Sequence, residues 1–157
     1  PSKTESLSGY RLGAAFGSQN IIDRMEKLQA IVSLRAGGYS QAVFQTWFCE
    51  PAGWMEERTR QHQAIRDDLL QLLRAVDGVK ARTTEAGSYL FPKLPALDIA
   101  IGDFVRVLRL QADVTVTPGT EFGPQFTDCF RINFSQDHKA ALEAIKRTLV
   151  MVERYRK

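Results

Sequence analysis

The chain has 157 residues, 44% of them hydrophobic and 25% charged, which are ordinary values for a globular protein and exclude collagen, coiled coil and disordered chains. Its 21 Lys and Arg residues against 18 Asp and Glu leave a net charge of +3 without a basic block, so we expect no nucleic-acid partner. No apolar run approaches the roughly 18 residues that span a bilayer and no signal-peptide pattern is seen, so we expect no membrane partner and a cytoplasmic protein.

The two cysteines, Cys49 and Cys129, are too few for a disulfide framework and are not at metal-ligand spacing. We therefore interpret both as reduced thiols and predict no metal site.

The first third of the chain predicts a strand followed by two helices. Residues 11–18 alternate larger apolar side chains with small or polar ones, which is the period of a strand. Ser18 or Asn20 can cap the first helix. Two glycines at 37–38 interrupt its helical pattern, and a second helix is expected at 39–48. The apolar positions of the first helix are Ile22, Met25, Leu28 and Val32.

A third helix, opened by Pro51, has the clearest helical pattern of the chain. Proline fits the first turn of a helix, and Gly78 supplies the stop. Such a helix runs for about 25 residues, long enough to link two lobes. Its apolar face consists of Trp54, Ile65, Leu69, Leu72 and Val76.

The second half predicts short strands and a helix. Strands are expected at 79–83, 88–91 and 114–117. A helix is expected at 102–111, and a loop rich in glycine and proline covers 118–128.

Residues 129–134, CFRINF, have the pattern of a strand with one apolar face. Because successive side chains alternate between the two faces of a strand, Arg131 and Asn133 share the face opposite the apolar residues. A last amphipathic helix is expected from about Gln136. The apolar residues of the strand are Phe130, Ile132 and Phe134.

Lys3 lies among hydroxyl residues, and Arg11 follows eight residues later. A lysine that acts as an amine nucleophile needs a site that lowers its pKa, and an arginine with hydroxyl donors suits a dianionic phosphate. A Schiff-base lysine beside a phosphorylated aldehyde cofactor requires this combination. The alternative interpretations are an ordinary solvated lysine and, for Arg131, a surface ion pair.

Four segments, in order along the chain, resemble class I/II aminotransferases, the pyridoxal-phosphate enzymes of fold type I. Residues 2–13, SKTESLSGYRLG, resemble the cofactor-lysine signature, although Pro1 stands where the family usually has an apolar or aromatic residue. Residues 87–95, GSYLFPKLP, look like the segment that begins the small domain's sheet. Residues 116–123, VTPGTEFG, resemble the loop V-x-P-G-x-x-F-G, and 129–135 supply the arginine of the family's substrate site.

The resemblance implies an α/β fold with an α+β-like small domain, as in aspartate aminotransferases. It implies that residues 1–50 are the last strand and helices of the large cofactor-binding domain. Residues 51–157 would then form the long linking helix and the small C-terminal domain.

The resemblance also implies the site residues. Lys3 would form the Schiff base with pyridoxal 5′-phosphate and carry the catalytic proton. Arg11 would bind the cofactor phosphate, and Arg131 would hold the substrate's α-carboxylate through its planar donor set. No metal is implied.

The implied reaction transfers an amino group between an amino acid and a 2-oxo acid in a full-length homodimer. The resemblance begins at the lysine, and the family's phosphate-cradling helix, ring-stacking aromatic residue and pyridine-nitrogen aspartate are not in this sequence. We therefore expect the isolated chain to be inactive and to bind the cofactor weakly or not at all. Two alternatives stay open: the C-terminal domain of a cofactor-sensing transcriptional regulator, and a β-lyase or related synthase of the same fold.

Four further polar residues are not interpreted as catalytic. His62 lies within a charged helix and His138 near a helix start, and we interpret both as solvated. Tyr39 and Ser40 are interpreted as capping or packing residues, with contact to a neighbouring subunit's site as the alternative.

Overall fold

The computed structural model describes residues 7–47 and 49–157. The chain divides into two compact units, Pro1–Glu56 and Glu57–Lys157. Among the described residues, no helix combines the length and apolar character needed to cross a membrane, and no group of His, Cys, Asp and Glu could hold a metal ion.

The first unit is built from short helices. The helix predicted after Ser18 is confirmed as α1, Gln19–Val32, and the second as the shorter α2, Gly38–Val43. Single 3-10 turns lie at Ser8–Tyr10 and Phe44–Thr46. None of the described residues of this unit is buried.

The strand predicted at 11–18 is wrong for this structure. A strand needs backbone hydrogen bonds from a neighbouring strand, and the described residues of the first unit include no strand at all. The alternation of side chains is present in 11–18, but the segment has no regular structure.

The long helix is confirmed as α3, Trp54–Arg74. It begins three residues later than predicted, because Pro51 belongs to the preceding turn, where its carbonyl accepts the Trp54 N–H at 3.1 Å. Gly78 lies beyond the helix with φ +78°, a conformation that glycine adopts without a steric penalty. The buried face of α3 consists of Ile65, Leu69, Leu70 and Leu73.

The second unit holds a three-stranded antiparallel sheet. Its strands are β1, Tyr89–Leu90, β2, Thr117–Pro118, and β3, Phe130–Asn133, in the order β1-β3-β2. The strand predicted at 129–134 is confirmed. The strand predicted at 79–83 is reduced to an isolated bridge between Lys80 and Lys93.

Two further helices pack with the sheet. The helix predicted at 102–111 is confirmed as α4, Ile101–Gln111, and the last helix as α5, His138–Tyr155. The Asp137 side chain caps α5 by accepting the Ala140 N–H at 2.9 Å, which satisfies one of the unpaired donors of the first turn.

Every core residue in the described part of the chain lies in the second unit, between α3, α4, α5 and the inner face of the sheet. Burying large apolar side chains is the main stabilising contribution to such a domain. The largest fully buried residues include Phe104, Phe130, Phe134, Leu69, Leu73, Leu90 and Leu108.

Gly119 begins a third 3-10 turn, Gly119–Phe122, and has no room for a side chain. A Cβ at this position would lie 2.7 Å from the carbonyl oxygen of Cys129 and closer still to that of Phe126. The backbone is fixed there because the Gly119 N–H donates to Cys129 at 2.7 Å.

Gly119→Ala is therefore expected to lower the free energy of unfolding by roughly 1–3 kcal/mol, the usual cost of overpacking, as measured by urea denaturation. Gly102→Ala is the matched control, since a Cβ at Gly102 meets nothing within 4 Å and alanine favours a helix. Equal stability of Gly119→Ala and the parent chain would contradict the close packing.

Candidate functional site

Arg131 lies on β3, the central strand of the sheet. Phe130 and Ile132 on either side of it are buried in the core, whereas Arg131 is only partly buried. The alternation predicted from CFRINF is confirmed, and it turns the arginine side chain away from the core.

Two aromatic rings hold the guanidinium group of Arg131. Its Cζ lies 4.6 Å from the centre of the Tyr89 ring and 4.7 Å from that of the Phe122 ring. Both distances are within the range of cation–π attraction. We call Tyr89, Arg131 and Phe122 the arginine clamp.

The sheet explains how the two rings reach one arginine. Tyr89 on β1 is paired with Asn133, so it is the diagonal neighbour of Arg131 on the same face. On the other side of β3, Thr117 of β2 is paired directly with Arg131, and the chain then turns at Gly119 to present Phe122.

The donors of the Arg131 guanidinium are unpaired within the described part of the chain. In residues 7–47 and 49–157, no carboxylate, carbonyl or hydroxyl group accepts a hydrogen bond from this side chain. Because aromatic stacking uses the faces of the guanidinium group, the N–H groups in its plane stay available for an anion. The alternative of a surface ion pair is not observed among these residues.

Further aromatic rings extend the arginine clamp. Phe91 contacts Phe122 edge-on with the ring centres 5.7 Å apart, and it contacts Phe126 in the same way at 5.3 Å. Phe122 is 43% exposed and Phe91 36% exposed. A cation framed by partly exposed rings is an arrangement that suits recognition of an organic anion.

A second charged group lies at the start of β3. Lys93 forms an ion pair with Asp128 at 2.8 Å, which raises the pKa of Lys93 and lowers that of Asp128. The neighbouring Cys129 thiol donates to Asp128 at 3.3 Å. Burial and the Asp128 carboxylate raise the pKa of Cys129 to about 11.

The two thiols are expected to react very differently with an alkylating reagent. Cys129 is 7% exposed, and at pH 8 a pKa of about 11 leaves roughly one molecule in a thousand as the reactive thiolate. Cys49 is exposed and should be labelled. Mass spectrometry after labelling at pH 8 should find one modified thiol in the folded chain and two in guanidinium chloride; rapid labelling of both in the folded chain would contradict the burial of Cys129.

The pH dependence follows from the same shift. The pKa of Cys129 is raised from its ordinary value of 9.0, so the buried thiol favours the folded state below about pH 9. This contribution is lost as the pH rises through about 11.

Arg11 is exposed at the end of the first 3-10 turn. Its backbone is left-handed, with φ +54°, and Nη1 donates to the Ser8 carbonyl at 3.1 Å. The Ser40 hydroxyl on α2 donates to the Tyr10 carbonyl at 2.9 Å, so α2 fixes the turn that carries Arg11. This contact agrees with the packing role expected for Ser40.

The donor set at Arg11 fits a phosphate group. Among the described residues no carboxylate pairs with this guanidinium, so most of its donors are available to a dianion. Lys3, the other residue predicted to hold the cofactor, lies outside the described residues. Arg11 belongs to the first unit and Arg131 to the second.

Both histidines make contacts within the protein. Both ring nitrogens of His62 have protein partners, so its interpretation as a solvated side chain is wrong. The His138 side chain is 42% exposed, as expected for a solvated histidine. Nδ1 of His62 lies 2.9 Å from the Arg58 carbonyl, which can only accept, so Nδ1 carries a proton, and Nε2 lies 2.9 Å from the Ser135 hydroxyl. His138 pairs with Asp68 at 2.9 Å. Both contacts join α3 to the chain around the start of α5, a proximity that sequence spacing does not show.

Tyr89 and Phe122 are the members of the site that sequence analysis did not identify. Both lie in segments that were singled out, GSYLFPKLP and VTPGTEFG. The observation that could have identified them is strand pairing, because the strand that carries Arg131 pairs with strands from both segments. An arginine on that strand has a neighbour from each side within reach.

Comparison with known proteins identifies the family. The family model described as "Aminotransferase class I and II" matches residues 1–147. The crystal structure of an aspartate aminotransferase from Rhodobacter sphaeroides 2.4.1 superposes with a TM-score of 0.96, and the two sequences are 67% identical. The match covers 100% of this chain and 40% of that one. The predicted fold class is confirmed by this match.

Curated relatives agree with the family model. An aspartate aminotransferase of Rhizobium meliloti is 28% identical over 98% of this chain, and an LL-diaminopimelate aminotransferase of Nitratidesulfovibrio vulgaris is 28% identical over 93% of it. The matches cover 39% and 37% of those proteins, so the chain spans about two fifths of the length of these relatives. The chain belongs to the class I and II aminotransferase family.

Proposed function

We propose that the chain is the C-terminal part of a pyridoxal-phosphate-dependent aminotransferase. Residues 1–50 would come from the large cofactor-binding domain, and residues 51–157 would form the linking helix and the small domain. The proposal includes a cytoplasmic homodimer that acts on amino acids and 2-oxo acids without a nucleic-acid or membrane partner. The observation that carries it is the guanidinium group of Arg131, stacked on two rings and without an anionic partner among the described residues.

Arg131 is suited to the α-carboxylate that all amino-acid substrates share. A guanidinium group offers two parallel N–H donors to the two oxygens of a carboxylate, which fixes both the position and the orientation of the substrate. Holding the carboxylate in this way orients the bond from Cα to the transferred amino group relative to the cofactor.

Two residues of the first unit would serve the cofactor. The Arg11 guanidinium would bind its phosphate, and the Lys3 amine would hold the cofactor and move the proton at the substrate's Cα. When bound, pyridoxal phosphate supplies the electron sink that stabilises negative charge at Cα. The chain's own contribution is the binding, the orientation and the proton transfer.

Aspartate is the first amino donor to test. The relatives named for aspartate and LL-diaminopimelate act on amino acids with different side chains and the same α-carboxylate, which is the group that Arg131 would bind. The relative with 67% identity is named for aspartate, and this similarity supports aspartate as the substrate.

The test is turnover by the full-length protein that carries this chain, with aspartate and a 2-oxo acid. A hybrid in which this chain replaces the matched 40% of the Rhodobacter sphaeroides enzyme provides a second route to the same measurement. We expect one acceptor molecule to be aminated for each aspartate consumed.

Two other outcomes would contradict the proposal and favour its alternatives. Cofactor binding without turnover, in a protein with a DNA-binding module ahead of this chain, would indicate a regulator. Release of the leaving group, ammonia and a 2-oxo acid from an amino acid that carries a thiol leaving group at Cβ, with no 2-oxo acid acceptor, would indicate a lyase.

A further inference from the structure

We propose that Phe122 is a positioning residue, whose ring holds the Arg131 guanidinium group in the orientation that accepts the substrate carboxylate. This inference rests on the proposed function, because it concerns the same arginine. It concerns a residue on a different element, the 3-10 turn Gly119–Phe122.

The need for such a residue follows from the flexibility of arginine. An arginine side chain has several rotatable bonds, and fixing it costs conformational entropy. An ion pair within the protein would fix it but would also occupy the donors that a substrate needs. Among the described residues no such ion pair or hydrogen bond forms, and aromatic contacts at 4.6 and 4.7 Å take its place.

The two rings have different structural status. Tyr89 is part of the sheet through β1, paired with Asn133. Phe122 has no place in the buried core, since 43% of it is exposed. It is held instead by the edge-on contact with Phe91 at 5.7 Å and by the tight turn that begins at Gly119.

The exposure of Phe122 makes a purely structural role an insufficient explanation. A large apolar side chain gains little stability where nearly half of it faces water. Its ring is nevertheless kept over a cation by a turn with no room for a side chain at Gly119. We conclude that the geometry serves the arginine.

The consequence is a specific kinetic signature. Phe122→Leu keeps an apolar side chain and removes the ring face. Because a cation–π contact contributes about 0.5–2 kcal/mol, we expect the apparent KM for the amino acid to rise by about 2- to 30-fold. The contact would stabilise the bound substrate and the transition state equally, so we expect kcat of Phe122→Leu to stay within about twofold of the parent value.

The experiment compares four variants of the full-length protein. Phe122→Tyr keeps a ring and should restore the KM of the parent protein. Phe126→Leu is the matched control, since Phe126 contacts Phe91 and is not one of the two rings stacked on Arg131. Arg131→Ala reports on the proposed function itself.

The outcomes separate the two claims. If Arg131→Ala raises KM strongly and Phe122→Leu does not, the positioning role is overturned and the proposed function stands. If Arg131→Ala leaves KM unchanged, the proposed function fails. An equal rise in KM in Phe126→Leu and Phe122→Leu would show general damage to the aromatic group and would overturn the role of Phe122.

A measurement on the 157-residue chain tests the same inference without catalysis. Two rings near Arg131 should move the NMR signal of its Nε–H upfield, and Phe122→Leu should reverse part of that shift. Thermal unfolding of both chains checks that the fold is retained. An Nε–H signal at the position of a solvated arginine in the unsubstituted chain would overturn the proposal.

Discussion

Replacing Arg131 by alanine in the full-length protein is expected to raise the apparent KM for amino acids by roughly 30- to 700-fold. In the proposed role, the substitution would remove a charge-assisted, two-pronged contact to the carboxylate, worth about 2–4 kcal/mol in a closed site. Each 1.4 kcal/mol corresponds to a factor of ten. Steady-state kinetics with aspartate over a wide concentration range measures the effect.

Two variants control this prediction. Arg131→Lys keeps the charge but loses the planar donor pair, so its KM should lie between those of the parent protein and Arg131→Ala. Arg106→Ala removes an exposed arginine on α4 that pairs only with the nearby Asp103 among the described residues, and its KM should not change. An unchanged KM in Arg131→Ala would refute the role of this arginine.

Replacing Lys3 by alanine in the full-length protein is expected to lower kcat by at least about a thousandfold. A residue that both holds the cofactor and transfers the proton at Cα contributes through nucleophilic and acid–base catalysis, and the acid–base part alone is worth roughly a hundred- to ten-thousandfold. Lys27→Ala, a lysine substitution in α1 at an exposed position, is the matched control and should turn over normally.

The isolated 157-residue chain should have no transaminase activity. It should also give no stoichiometric visible absorbance when pyridoxal phosphate is added, because it spans only about two fifths of the length of its relatives. A stoichiometric absorbance that Lys3→Ala abolishes would refute this expectation. Normal turnover in the full-length Lys3→Ala variant would refute the role of the lysine.

The helices and the central strand of the second unit could largely be predicted from sequence, because the apolar face of each packs into the same buried core. In CFRINF, the apolar residues fill the space between the helices, so the strand has only one orientation that buries them, and Arg131 must point away. The same reasoning holds for α5, whose amphipathic pattern was predicted and whose Ile145, Leu149 and Val152 are buried.

The first unit shows where local patterns are insufficient. Residues 11–18 alternate like a strand, but a strand depends on partners that the segment itself does not encode. The described residues of this unit contain neither a strand nor a buried residue. The prediction of α1 succeeded because the hydrogen bonds of a helix lie within the segment itself.

The sequence singled out the arginine of the candidate site, but it did not predict which side chains surround that arginine. Arg131 was found from strand alternation and from its resemblance to the family. The two rings of the arginine clamp come from segments 42 and 9 residues away along the chain, at Tyr89 and Phe122. Only the strand order β1-β3-β2 brings them together.

The most direct test is a crystal structure of the full-length protein with aspartate or a non-reactive analogue bound. We predict that both oxygens of the α-carboxylate contact the Arg131 guanidinium group while it remains stacked on Tyr89 and Phe122. A carboxylate bound elsewhere, with Arg131 paired to a protein side chain, would contradict the account.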